Sequence, residues 1–136
     1  MGGNRIHVIN LEDFTVTYIP IGSNPRAIVL SPDNTKMYVT MNLSGKVASW
    51  DLSANKAGKS VKTGEAARSL AISSDGSTMF VVNFKSNTMS KVRTSDMKVL
   101  ETIKACNEPI GVTYDAPTGN TWVACYKGQI KIYSNN

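Results

Sequence analysis

One histidine, His7, and two cysteines, Cys106 and Cys125, supply every imidazole and thiolate in this chain of 136 residues. A structural zinc site takes four such ligands, so that metal is excluded, and no other metal or cofactor is expected. Two cysteines without a CxxC spacing are also too few for a disulfide framework. No apolar run approaches the roughly 20 residues of a membrane-spanning helix, and the opening residues MGGNRIHVIN lack the charged-then-apolar pattern of a secretory leader. No membrane contact is therefore expected. Absent too are a GxSxG elbow, a phosphate-cradling glycine loop and an HExxH pair, while aspartates such as Asp33, Asp75 and Asp96 fall at turns. The sequence assigns no catalytic residue.

The chain does contain enough apolar residues, 41%, for a packed core. Fifteen Lys and Arg against ten Asp and Glu leave a formal charge of +5, and the pI is near 9.3. The lysines stand singly from Lys36 to Lys131, with only Lys56, Lys59 and Lys62 close together. Scattered charge of this kind is a solvated face and not a binding stripe, so nucleic acid is not the expected partner.

A repeat dominates the rest. "SPDNTKMYVTM" (Ser31 to Met41) returns as "SSDGSTMFVVN" (Ser73 to Asn83), and a shift of 42 residues carries Arg26 onto Arg68, Asp33 onto Asp75, Met37 onto Met79 and Lys62 onto Lys104 without a gap. A third copy at the same shift pairs Phe80 with Trp122, Val81 with Val123 and Phe84 with Tyr126. Each period holds four short β-branched or apolar runs separated by turn residues, with no helical periodicity. Strands joined by such short turns must be antiparallel neighbours, so each period makes one meander sheet. The first two runs of a period are apolar on both faces and the last two alternate with Lys and Arg, which suits sheets stacked radially with a wet rim. The predicted class is all-β: β-propeller blades, each a four-stranded antiparallel meander of about 42 residues.

The residues carrying the repeat, "MYVT" (Met37 to Thr40) and "MFVVN" (Met79 to Asn83), with the openers "GSNPR" (Gly22 to Arg26), "GEAAR" (Gly64 to Arg68) and "CNEPI" (Cys106 to Ile110), resemble the YVTN-repeat β-propellers of the lactonase-like, seven-bladed group. The resemblance implies a C-terminal segment of such a propeller and leans toward an extracytoplasmic or secreted setting, with no signal peptide in the chain. Closing a ring takes at least four blades, and four periods of 42 exceed the 136 residues. The expected organisation of residues 1–136 is an incomplete propeller of about three blades: strands c and d of a partial blade at 5–22, blades at 23–64 and 65–106, and a blade lacking its last strand at 107–134. Such a segment is either part of a longer propeller or a short chain whose copies complete one another, and both readings predict self-association through open apolar faces.

The functional reading is a non-catalytic binding or assembly module with a protein partner or its own copies. One alternative is part of a lactonase-like hydrolase; another is a binder of small anions or nucleic acid. Arg26 and Arg68 stand where the chain enters the innermost strand of two periods, the channel-facing place, where they would take an anionic ligand or else pin the carbonyls of the preceding turn. Ile110 holds that place in the third copy. His7 is read as a rim residue. Tyr38, Phe80 and Trp122 are expected in the core between blades, while Trp50 and Tyr126 are expected to be partly exposed, with Tyr126 the aromatic chosen for a partner contact. Cys106 and Cys125 fall on one face of the disc; two packed free thiols are the expectation and a disulfide between neighbouring blades the alternative.

Overall fold

The computed structural model describes residues 3–22 and 24–134. Ser23, where the first full period is expected to begin, lies outside the described residues, as do positions 1–2 and 135–136. β1 (Arg5–Ile9) and β2 (Val16–Pro20) form an antiparallel hairpin. Sheet 1 follows, in the order β3 (Pro25–Leu30), β4 (Lys36–Met41), β5 (Lys46–Asp51) and β6 (Lys56–Lys62). Sheet 2 repeats it with β7 (Ala67–Ile72), β8 (Thr78–Asn83), β9 (Thr88–Arg93) and β10 (Lys98–Lys104). Sheet 3 has β11 (Pro109–Asp115), β12 (Asn120–Cys125) and β13 (Gln129–Tyr133). Every pairing is antiparallel, and no described residue is helical.

Local chemistry explains where the strands turn. Between β3 and β4 the Asp33 carboxylate accepts from Ser31 Oγ at 2.6 Å, from the Thr35 N–H at 3.0 Å and from Thr35 Oγ1 at 2.9 Å. Asp75 does the same one period later with Ser73 Oγ (2.6 Å), the Ser77 N–H (3.0 Å) and Ser77 Oγ (2.8 Å). Asn34 and Gly76 supply the left-handed residue each turn needs, at φ 58° and 73°. The serine hydroxyl first, then the backbone and side chain two residues beyond, hold each carboxyl down from 3.8 to about 2. A carboxyl lowered on folding adds stability above its unfolded value, and that contribution is lost as pH falls from 3.8 to about 2. Asp33→Ala combined with Asp75→Ala should therefore lower the thermal midpoint at pH 7, and the gap from the parent should shrink as pH approaches 2. A gap that stays constant across a pH series of melts would contradict this origin.

Packing runs between sheets. Tyr38, Val47 and Val61 of sheet 1 meet Leu70, Met79, Val92, Met97 and Val99 of sheet 2. On the opposite face of sheet 2, Phe80, Val82, Met89 and Ile103 meet Val112, Val123 and Tyr133 of sheet 3. Ile6 and Ile19 of the hairpin cover Met37, Val39, Met41 and Trp50. Alternation along each strand explains this division, because successive side chains point to opposite faces. The first strands β3, β7 and β11 lie side by side, so the sheets fan out from a common inner edge. Outermost β6 and β10 are almost wholly exposed, as their Lys-rich sequences require.

Three particulars depart from the sequence reading. Trp50 is buried at 7% exposure, because β5 lies under β6 and the hairpin covers its face. Trp122, the counterpart of the buried Tyr38 and Phe80, is 38% exposed, since it points to the side of sheet 3 on which no further described sheet packs. The third copy also loses the 42-residue shift after β12. Cys125 pairs with Gln129 where Asn83 pairs with Thr88, so the intervening turn is one residue shorter.

One pair of positions recurs at every sheet junction. A Cβ placed on Gly22 would sit 3.1 Å from Met41 Cε, and one on Gly64 would sit 2.6 Å from Asn83 Cγ. One period on, the same two places are Cys106 and Cys125, joined in a disulfide with Cα atoms 6.0 Å apart. The expectation of free thiols is replaced by this bond; both residues are buried.

Candidate functional site

The candidate site lies at the turns leading into and out of the inner strands. Asn24, Ala66 and Glu108, one period apart, all adopt left-handed backbone, with φ of 60°, 56° and 52°. For Ala66 and Glu108 this conformation costs about 1 kcal/mol each, so its recurrence marks a geometry that the fold imposes. Their carbonyls accept the N–H groups of Asn42 (3.1 Å), Phe84 (3.0 Å) and Tyr126 (2.9 Å), fixing the residue that follows each second strand. The side chains at this place therefore share one rim.

In the middle repeat Arg68 lies over the Phe84 ring, with Cζ 4.7 Å from the centroid. Phe84 in turn meets Tyr126 edge-on, at 6.4 Å and 87°. Arg68 and Tyr126, singled out separately in the sequence, are thus joined through Phe84. The guanidinium does not pin the preceding turn; Asn42 Nδ2 donates to the Ala67 carbonyl at 3.2 Å and Thr40 Oγ1 to the Arg68 carbonyl at 3.2 Å instead. Phe84 covers one flat side of the guanidinium, which leaves its N–H edge for a carboxylate or carbonyl. Exposed Lys85 and Lys127 follow Phe84 and Tyr126 directly, and Tyr126 itself is 67% exposed.

Arg26 is exposed and meets no aromatic ring, because Asn42 stands where the later repeats have Phe84 and Tyr126. His7 sits on the outer hairpin edge-on to Tyr18 at 4.7 Å, and Arg5 lies 4.1 Å from the same ring. That stack is separate from Arg68. Among the described residues no group of three His, Cys, Asp or Glu is placed to hold a metal ion. Phe84 was missed as a platform; the signal was its alignment with Tyr126 beside an arginine at the strand start.

No protein-family model and no curated protein matches the chain. Among solved structures, Kuenenia stuttgartiensis hydrazine synthase superposes with a TM-score of 0.79 at 22% identity, over 82% of this chain and 32% of its own. The RRP9 WD40 repeats give 0.75 at 14% identity, over 82% and 35%. The dihydro-heme d1 dehydrogenase NirN gives 0.67 at 20%, over 96% and 35%. These are similarities of fold. The fold is a β-propeller's. The four antiparallel sheets are propeller-blade-like, and the chain covers about a third of the length of each of these three structures.

Proposed function

We propose that this chain is a non-catalytic β-propeller module whose work is assembly and protein binding, of the YVTN-repeat, lactonase-like kind. The motifs at Met37 to Thr40 and Met79 to Asn83 support that affiliation, with blades at 23–64, 65–106 and 107–134 and a partial blade at 5–22. The observation that carries the reading is the contrast along one set of equivalent positions: Tyr38 and Phe80 are 3% and 2% exposed, whereas Trp122 is 38% exposed beside the exposed Ile130 and Ile132. At the other end of the fan, Ile28 and Leu30 are exposed too. Apolar faces of this kind are covered in assemblies.

Light scattering tests it. The parent chain is expected at a multiple of 14.7 kDa, and Trp122→Lys with Ile132→Lys should bring the mass down toward the single chain. A parent that stays at the single-chain mass at about 100 μM, a concentration at which a standard-sized apolar interface is filled, would overturn the assembly reading. The Arg68, Phe84 and Tyr126 rim favours a second contact, with a carboxylate-bearing protein partner. The disulfide supports an oxidising compartment.

A further inference from the structure

Basic residues that stand singly along the chain meet at one end of the sheets. Strand pairing lines up Pro25, Met41, Lys46 and Lys62 across sheet 1, and Ala67, Asn83, Thr88 and Lys104 across sheet 2. Lys46 and Lys62 are therefore direct cross-strand neighbours, a like-charge pair that repels. The repeat returns basic residues to this end in pairs one period apart. Arg26 and Arg68 stand beside the start of an inner strand, Lys62 and Lys104 close an outer one, and Lys85 and Lys127 lie in the turns after β8 and β12. Against them this end holds Glu65 and Glu108, whereas Asp33, Asp51, Asp75, Asp96 and Asp115 collect at the other.

The charge at the basic end is uncompensated. Among the described residues the ion pair formed is Arg93 with Asp96, 2.7 Å apart at the other end, and none of the repeated arginines and lysines joins one. Arg68 is half-buried with Phe84 against its flat side, while Lys62, Lys85, Lys104 and Lys127 are exposed. Leu43 takes the place of Lys85 in the first blade, so the charge is densest around Arg68, Phe84 and Tyr126. These groups stand at strand ends, where a further blade packs beside them and not over them.

Resting on the binding-module reading, we propose that this end of the sheets, centred on Arg68 between Lys85 and Lys127, is the docking site for an acidic segment of a partner protein that presents several Asp and Glu side chains in a row. Arg68, held by Phe84, takes one carboxylate on its N–H edge, and the flanking lysines take the next as point charges. Basic residues repeated from blade to blade call for a run of carboxylates and not for one. A second copy of this chain is a poor occupant. The aspartates at its other end are interleaved with Lys36, Lys56, Arg93 and Lys98, and its longest acidic run is Glu12-Asp13. Single-stranded nucleic acid fits less well too, because it binds on rows of free aromatic faces. At this end Phe84 is engaged by Arg68 and met by Tyr126, which leaves Tyr126 as the exposed ring.

The probe is a fluorescein-labelled peptide of about twelve glutamates, titrated with the intact chain by fluorescence anisotropy. In about 50 mM salt it should bind with a Kd on the order of 10 μM, and most of that affinity should be gone by about 300 mM. Lys85→Glu with Lys127→Glu should weaken binding at least about tenfold. Lys36→Glu with Lys98→Glu makes the same change in net charge at the other end and should alter binding by less than about twofold. All four lysines are exposed, so both variants should keep the parent's circular dichroism spectrum. Arg68→Lys, which keeps the charge and removes the planar fork, should weaken binding about threefold. Equal losses in the two glutamate pairs would reduce the effect to net charge and overturn the proposal. So would absence of binding at low salt, or tighter binding of a thymidine oligonucleotide of the same length, which would assign this end to nucleic acid. Light scattering reads Trp122 and Ile132, away from this end, so the assembly reading and this one fail separately.

Discussion

Replacing Cys106 and Cys125 together by alanine is expected to lower the thermal unfolding midpoint by about 10 °C. The bond closes a segment with a sequence separation of 19, and removing a cross-link over a loop of that length restores chain entropy worth about 3 kcal/mol to the unfolded state. For a domain of this size each kcal/mol moves the midpoint by about 3 °C. Both sulfurs are buried between blades, so alanine also leaves a small void and the change errs on the larger side. Circular dichroism melts of the parent and the variant read the effect. Equal midpoints would mean that the junction is held by its apolar contacts alone.

The second large effect is at Asn83, which occupies in the second blade the place that Cys125 occupies in the third. Its side chain is fully buried. Thr63 Oγ1 donates to Asn83 Oδ1 at 2.9 Å, while Asn83 Nδ2 donates to Thr88 Oγ1 at 3.1 Å and Ser90 Oγ at 3.2 Å. Thr63 follows the outer strand of the first blade, so the amide ties one blade to the next. Asn83→Leu keeps the volume and removes every one of these bonds, leaving the Thr63 and Thr88 hydroxyls facing an apolar group. The expected cost is about 2 kcal/mol, because the Thr88 hydroxyl loses its partner and Thr63 Oγ1 falls back on the Gly45 carbonyl at 3.4 Å, while Ser90 Oγ keeps the Thr63 carbonyl and Thr102. Urea unfolding of the variant should show a lower midpoint with an unchanged slope. A loss below about 1 kcal/mol would mean that water or rotamer change satisfies the hydroxyls.

The repeat made the architecture readable because its chemistry is local: the Ser-x-Asp turns and the β-branched runs after them need no distant partner to be recognised. The inner and outer order of strands was equally open to reading from the fading of apolar residues toward β6 and β10. What escaped was decided by neighbours. Trp50 and Trp122 changed places relative to expectation because exposure depends on which face of a blade has another blade against it, and strand position alone does not carry that information. Arg68 and Tyr126 could be proposed singly, but Phe84 between them could not, since nothing in a turn of Phe-Lys-Ser-Asn shows that its ring will lie under a guanidinium. The disulfide was the least visible. The cysteines fell on one side of the disc by strand parity, yet only the junction geometry brings their Cα atoms to 6.0 Å.

That junction is one slot filled in three ways: a glycine against a methionine tip, a glycine against a hydrogen-bonded amide, and a covalent bond. Pulled from its two termini, the molecule would therefore not yield evenly. The hairpin, which at this slot has only the contact of Met41 with Gly22, would peel away first and the first blade next. The sulfur bridge would spare from tension only the stretch between Cys106 and Cys125, which holds β11 and β12, a mechanical grading written into a backbone that otherwise repeats itself.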